Sequence, residues 1–542
     1  MKKRSLRVTP FVLLLILAGM VFATATYANG DDSNGQQGGI VIEPAPPPSS
    51  MPNNPYGVWL LPPNLEGGPK LREADALWTT IFLQWSSAEP SPGQYDWTEW
   101  DQVLGLAASQ GYQVIATITG NPSWAAETGC GPIRGDRLDE FATFMRKAVA
   151  RYSQPPYNVL YWSFYNEPDN SDSVNFSWLG GCWGFAYHPN AARGAGGAAY
   201  ANMLKHVYPA MKEANSKAFV VLGGLAYDYF TEPDGGVFDP SFLDDLLAAG
   251  GGDYFDVINF HYYPWSGWRW EPQGQNRYNR HIAFKARWLA TEVYNATGQR
   301  KPIICTEVGE TSHNKDHIAD YRRQILAIYQ NLLGAQSANV YPILWFTGID
   351  LRFSINYDGR RYGLLNLDGS PKPSYFAFKA LASELKDATF VRVREDLPNR
   401  FEGYEFNDHG RTKTVLWMYG GDAQFPPPQP VDFPISQPGG GMRVVKVRTH
   451  VQGDDDLNIV SEEVLRDGGT GDADGSVNGQ IRVMIDEDIR FLEDITMPTY
   501  TPTPSPTPSP TPPNSIYLPI YIRVFPVTQT HQTAIYIPTM LH

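Results

Sequence analysis

The 542-residue chain is short of basic charge, of cysteine and of long apolar runs. Charged residues make up only 18% of it, and 57 acidic against 43 basic side chains leave a net charge of −14. That balance excludes nonspecific binding to nucleic acid or anionic lipid, because attraction to phosphate is largely electrostatic. Three cysteines exclude a fold stapled by disulfides, and no Cys/His cluster has zinc-ligand spacing, so no metal is expected. A disordered or coiled-coil chain is excluded as well, since 42% of the residues are hydrophobic and 13% aromatic. What is abundant is Trp and Tyr, 15 and 30 residues. Flat rings with few charges suit stacking on neutral, hydroxylated ligands, of which sugars are one class.

The only sustained apolar run is at the start. Met1-Lys-Lys-Arg is basic, Phe11 to Leu17 is apolar, and small residues follow at Ala23-Thr-Ala25 and Thr26-Tyr-Ala28. This layout predicts a secretory signal peptide over 1–28, cleaved after Ala28; the alternative is an uncleaved membrane anchor, for which the run is short. The mature protein is then expected to be secreted, with no membrane span. Residues 29–53, rich in Asn, Gly, Pro and Ser, predict a flexible linker, and the Thr/Pro/Ser repeat of 498–513 predicts a second, extended one. The tail at 514–542 carries Ile516-Tyr-Leu-Pro519 and Ile535-Tyr-Ile-Pro538. It reads either as a weakly paired β segment or as a sorting or cell-surface attachment signal. Cys130 and Cys182 lie in Gly-rich loop sequence and can pair in an oxidising compartment, whereas Cys305 reads as a buried thiol.

Between the linkers the pattern changes near residue 387. Before it, apolar strand-like runs at 56–61, 79–84, 112–118, 158–164, 218–223, 256–261, 302–306 and 342–347 alternate with helical stretches. At 136–152, Leu138, Phe141, Met145, Val149 and Tyr152 recur at helical spacing. Eight such units predict an α/β fold, a (β/α)8 TIM barrel over 54–386. A doubly wound open sheet fits the alternation too, but no run reads G-x-G-x-x-G after a strand. After it, runs such as Thr414-Val-Leu-Trp417 and Met442-Arg-Val-Val-Lys-Val447 predict a smaller all-β, sandwich-like domain over 387–497. Acid-rich stretches at 454–456 and 467–475 lack calcium-loop spacing and read as solvated turns.

Chemistry is expected where barrel strands end. The fourth strand closes on Tyr165-Asn166-Glu167-Pro168 and the seventh on Thr306-Glu307-Val308-Gly309. An acid closing an apolar strand is expensive to bury without a partner, so two such placements point to function. Asn-Glu-Pro after strand four with a lone Glu after strand seven resembles the retaining glycoside hydrolases of clan A, over about residues 55–385. Ala88 to Trp97, Asn121-Pro-Ser-Trp124, Phe260-His261-Tyr262-Tyr263 and Trp345 resemble further segments of that clan, and the flavour is nearest to families 39 and 5. The resemblance implies a secreted hydrolase cleaving a polysaccharide or oligosaccharide by double displacement, without a cofactor. It implies Glu167 as general acid/base and Glu307 as nucleophile, with Asn166, His261, Tyr263, Trp345, Trp124 and Trp85 binding substrate or holding the carboxylates. Glu89 is expected to brace a loop, Glu310 to be solvated, and His188 to lie on the surface. A non-catalytic carbohydrate-binding or surface-adhesion protein on the same barrel is the alternative; retention of both glutamates beside Asn166 and Tyr263 speaks against it.

Overall fold

A computed structural model describes residues 41–495, except 63, 171–180, 185–194, 229–237, 265–280, 314–317, 353–358, 399, 419–426 and 452. The signal segment, most of the first linker, His188, the 498–513 linker and the tail lie outside the described residues.

Eight parallel strands form one sheet: β1 (Tyr56–Val58), β2 (Trp78–Gln84), β3 (Gln113–Thr119), β4 (Tyr161–Phe164), β5 (Phe219–Val221), β6 (Ile258–Tyr262), β7 (Ile303–Val308) and β8 (Val340–Trp345). Their order is β5-β4-β3-β2-β1-β8-β7-β6. Parallel bridges Val221↔Val257 and Leu225↔Phe260 join the two ends, so the sheet closes into a barrel. Helices follow the strands in turn: α1 (Gly68–Arg72), α2 (Trp85–Ala88), α3 (Thr98–Ser109), α4 (Leu138–Tyr152), α5 (Ala195–Ala214), α6 (Phe242–Ala248), α7 (His281–Thr297), α8 (Tyr321–Gln336) and α9 (Pro373–Leu385). Among the described residues no helix is long and apolar enough to cross a membrane.

The period of two along each strand sorts side chains between the helices and the barrel lumen. On β2 the inward residues are Trp78, Thr80 and Phe82, and on β6 the series Val257, Asn259, His261 runs the same way. The lumen is therefore layered. At its N-terminal end Trp78, Ile115, Tyr161, Val221, Val257, Ile304 and Leu344 form one apolar cluster with Met51. Above it lie hydroxyls and an amide, with Thr80 bonded to Thr117 at 2.9 Å and Thr306 donating to Asn259 Oδ1 at 3.0 Å. The carboxylates come last, at the C-terminal mouth.

Residues 41–53 depart from the flexible linker predicted for them. They run against the barrel, with Ile42 N–H donating to Thr291 Oγ1 at 3.0 Å and Ala45 N–H to the Lys301 carbonyl at 3.0 Å. Met51 is buried in the apolar cluster, which is what holds the segment down.

After α9 come antiparallel strands: β9 (Thr389–Val393), β10 (Phe401–Asp408), β11 (Arg411–Met418), β12 (Gln429–Pro434), β13 (Gly441–Val447), β14 (Val460–Arg466), β15 (Gln480–Ile485) and β16 (Ile489–Ile495). Six of them form a sheet ordered β14-β13-β16-β11-β10-β9, and β12 pairs with β15 apart from it. Alternation again assigns the faces. Leu416, Met418, Val444 and Leu492 cluster with Val431, Phe433, Ile481 and Val483 of the two-stranded sheet. Val415, Trp417, Val445 and Phe491 belong instead to the core shared with the barrel helices. Tyr329 of α8 meets Trp417 and Phe491 edge-on, at 6.3 and 5.9 Å between ring centroids. The acid-rich stretches are turn braces: Asp467 accepts from the backbone N–H groups of Gly439, Asn478 and Gly479, and Asp472 from those of Gly468 and Arg482.

Candidate active site

The chain leaves β4 through a strained turn. Tyr165 and Glu167 sit at φ 60° and 49°, in the left-handed region that non-glycine residues seldom occupy. The Tyr165 hydroxyl donates to Asn121 Oδ1 at 2.6 Å, which fixes the turn to the loop after β3. Asn166 and Glu167 are 4% and 7% exposed.

Opposite them, bulges re-aim the ends of β6 and β7. The register shifts between Phe260 and His261, so that His261 pairs with Glu307 rather than with Thr306. Gly224 leaves room for the ring, since a Cβ there would come within 2.1 Å of His261 Nε2.

His261 bridges the two glutamates. Its Nδ1 lies 2.9 Å from Glu167 Oε1 and 3.6 Å from Glu307 Oε2. Its Nε2 lies 3.0 Å from Thr306 Oγ1. The backbone N–H of Thr306 donates to Asn259 Oδ1, which identifies that atom as the amide oxygen, and the Thr306 hydroxyl donates to it as well. The hydroxyl can then only accept from Nε2–H. A proton on Nδ1 is thereby shared with Glu167: either imidazolium faces carboxylate, or neutral imidazole accepts from a carboxylic acid. Burial alone would lower the imidazole, but the charge of Glu307 and the bond to Glu167 hold it above its ordinary value.

Glu307 is 1% exposed. Its Oε2 accepts from the Tyr263 hydroxyl at 2.8 Å, while Oε1 is buried and has no hydrogen-bond partner among the described residues. Burial first, then the charge of Glu167, push its carboxyl up to about 7, against the pull of His261 and Tyr263. Oxygen atoms of Glu167 and Glu307 and a nitrogen of His261 all lie within 4.8 Å of one another. Among the described residues this is the one set close enough to share a cation, and the hydrogen bonds within it already account for its closeness.

Not every predicted residue reaches this cluster. On β8, Leu344 and Phe346 face the lumen, so Trp345 between them is turned to the helices, wholly buried, with its indole N–H donating to the Tyr362 carbonyl at 3.1 Å. The ring at the mouth is Phe346, which packs at 6.0 Å from Tyr263 and 5.5 Å from both Trp59 and Tyr362. Trp85 is likewise buried, against Phe141 and Phe144 of α4, and its indole donates to Glu89 Oε2 at 2.8 Å. Trp124 is half-buried, edge-on to Trp85, and donates to the Glu89 carbonyl. Glu89 also accepts from Gly93 N–H. These three residues brace the loops after β2 and β3 instead of touching the glutamates. Glu310 is not solvated: it is 3% exposed and bound by Arg323 at 2.8 Å.

A disulfide joins Cys130 to Cys182. The segment it anchors lies directly on the acid-bearing turn, with Gly181 N–H donating to the Asn166 carbonyl and Trp183 N–H to that of Pro168 at 3.0 Å. A Cβ on Gly181 would meet Pro168 Cα at 2.6 Å, so only glycine allows the approach.

Residues 83–348 match the profile of the family Cellulase (glycosyl hydrolase family 5). Among solved structures the chain is similar to a family 39 glycoside hydrolase from Bacteroides cellulosilyticus WH2, with 19% identity, 82% of this chain and 81% of that chain covered, and a TM-score of 0.57. It is similar also to a monomeric beta-xylosidase from Caulobacter crescentus CB15, with 15% identity, 83% and 97% covered and a TM-score of 0.53. An alpha-L-arabinofuranosidase from Thermotoga maritima gives 11% identity, 84% and 98% covered and a TM-score of 0.53. No curated protein is similar at the level of sequence.

Proposed function

We propose that this glycosidase, whose barrel resembles those of the clan A glycoside hydrolases, cleaves a polysaccharide or oligosaccharide with retention of anomeric configuration. The observation that carries the proposal is the buried pair itself: Glu167 and Glu307 with carboxylate oxygens within 4.8 Å and one Glu307 oxygen left unpaired. Retaining enzymes need two carboxyl groups about 5 Å apart, too close for a water to stand between one of them and the sugar.

In the first step Glu307 Oε1 attacks the anomeric carbon while Glu167 gives its proton to the departing glycosidic oxygen. A covalent glycosyl ester on Glu307 results. In the second step Glu167, now ionised, takes a proton from water, whose oxygen attacks the same carbon and releases Glu307. The Tyr263 hydroxyl holds Glu307 Oε2, so the lone pairs of Oε1 are the ones presented to the sugar. His261 bridges both carboxyls and compensates for the charge that moves between them. Asn166, beside Glu167, would bind the sugar 2-hydroxyl.

Glu307→Ala is expected to lose activity by more than about 10⁴-fold and to recover turnover with azide, yielding a glycosyl azide of inverted configuration. Glu167→Ala should lose about 10²- to 10⁴-fold, least on substrates whose leaving group needs no proton. Activity that survives both substitutions sinks the proposal. The formed Cys130–Cys182 bridge favours an oxidising compartment and so supports export. On the same view the 498–513 linker and the tail attach the enzyme to the cell surface; cells expressing the chain without residues 498–542 should then release it into the medium.

A further inference from the structure

The barrel does not close evenly. Most neighbouring strands share a ladder of several paired residues, but β5 and β6 meet only at isolated bridges. His261 stands at this join, its N–H donating to the Leu225 carbonyl at 3.0 Å.

Buried charge fills in where the ladder is missing. Lys285, on the first turns of α7, is wholly buried, and its ammonium donates to Asp228 Oδ1 at 2.7 Å, to the His261 carbonyl at 2.8 Å and to the Ala226 carbonyl at 3.4 Å. Asp169, two residues beyond Glu167, grips the same segment from its other side, accepting from Ala226 N–H at 3.0 Å and Tyr227 N–H at 2.9 Å. The strand end that carries His261 is therefore tied, through residues 225–228, to the turn that carries Glu167. A buried ion pair stabilises a fold little compared with apolar packing of the same volume. One seated on the carbonyl of the residue that bridges both glutamates calls for another explanation.

We infer that Lys285, paired with Asp228, is a positioning residue: it holds the His261 backbone at the barrel join and so sets the imidazole between Glu167 and Glu307. Its catalytic consequence rests on the retaining reaction proposed above, whereas its hold on His261 does not. Among the described residues, the charged and titratable groups around that imidazole are Glu167 and Asp169 after β4, Asp228 after β5, Tyr263 after β6, Cys305 and Glu307 on β7, and Lys285. Lys285 is the cation among them, and it opposes proton uptake by His261 and by Asp169. Removing it therefore raises the protonation midpoints of His261 and Asp169.

The test uses the full chain with imidazole ¹⁵N labelling, His261 being assigned by the signal lost in His261→Gln. In Lys285→Met the His261 midpoint should rise by about one pH unit. The pH profile of kcat/KM should move the same way, and kcat should fall about 10- to 100-fold with a smaller change in KM. Should Lys285→Met fail to fold, Asp228→Asn/Lys285→Met, which leaves no unpaired buried charge, replaces it. With both charges gone the His261 midpoint is not expected to rise, and the readout is the same fall in kcat of about 10- to 100-fold without a matching loss of thermal stability. An unmoved His261 midpoint and pH profile, with activity falling only as far as thermal stability does, would overturn the inference. Glu167→Ala and Glu307→Ala run alongside: activity surviving in them removes the retaining reaction, while the ¹⁵N titration still decides for or against Lys285.

Discussion

At the scale of single residues, Glu307 is a wholly buried carboxyl and, on the proposed reaction, the nucleophile. Burial raises its carboxyl from an ordinary 4.5 to about 7. A carboxyl raised on folding favours the fold fully below the unfolded value, and that contribution is lost as pH climbs through the folded one. Between pH 4.5 and 7 the native protein should therefore lose up to a few kcal/mol on this account. Glu307→Gln cannot ionise and does not pay it. The variant's melting temperature, little different from native at pH 4, should exceed it at pH 8; a gap that stays constant across that range would refute the assignment. The glutamates themselves were legible in the sequence, because an acid that closes an apolar strand stands out. Trp345 and Trp85 misled because residue type says nothing about phase. Which of two adjacent aromatics faces the lumen depends on where β8 begins its alternation, and Phe346 rather than Trp345 takes the inward position. Lys285 left a faint signal as a lone cation among Ile282, Ala283, Phe284 and Ala286, and Glu310 left none, since its partner Arg323 arrives from the next helix.

At the scale of elements, all eight strands and the helix over 136–152 follow from apolar runs and helical spacing, and the structure moves their ends by only a few residues. The bulges on β6 and β7 could not be read in advance, yet they bring His261 level with Glu307. Gly224 keeps that alignment possible. Gly224→Ala places a methyl where the imidazole lies, so it should cut kcat/KM by about 100-fold or more while the far-ultraviolet circular dichroism stays native; retained activity would show that the ring is free to move aside. The loops after β3 and β4 form a second unit through Cys130–Cys182, which are 52 residues apart in sequence. Closing a loop of that length stabilises the fold by about 4 kcal/mol on chain entropy. Reduction is thus expected to lower the melting temperature. Because Gly181 and Trp183 lie on the turn bearing Glu167, it should also raise KM, and an unchanged KM would separate the bridge from the site.

At the scale of the whole molecule, the change of pattern near residue 387 lies just before β9 opens at Thr389, and it carries no sign of how closely the antiparallel strands join the barrel. Trp417 and Phe491 enter the core of α8 and α9, Glu384 at the end of α9 pairs with Lys413 and Arg443, and the Tyr321 hydroxyl reaches Asp454 at 2.7 Å. Proposed as a boundary, residue 387 is not expected to be a place where the chain can be cut. A chain ending at 386 would leave the apolar surface around Tyr329 bare and should aggregate, whereas the intact protein should unfold in a single calorimetric transition. Two resolved transitions, or a soluble and active 386-residue fragment, would show the sheets to be an independent module. The layering of the lumen has a consequence for proton traffic. Its lower end is packed by Met51 and a ring of apolar side chains, so among the described residues nothing polar continues from Glu167 and Glu307 through that end. If the proposed reaction holds, a sugar chain lying across the mouth would cover that exit, and the two carboxyls would then share whatever protons they held when it arrived and those the attacking water brings.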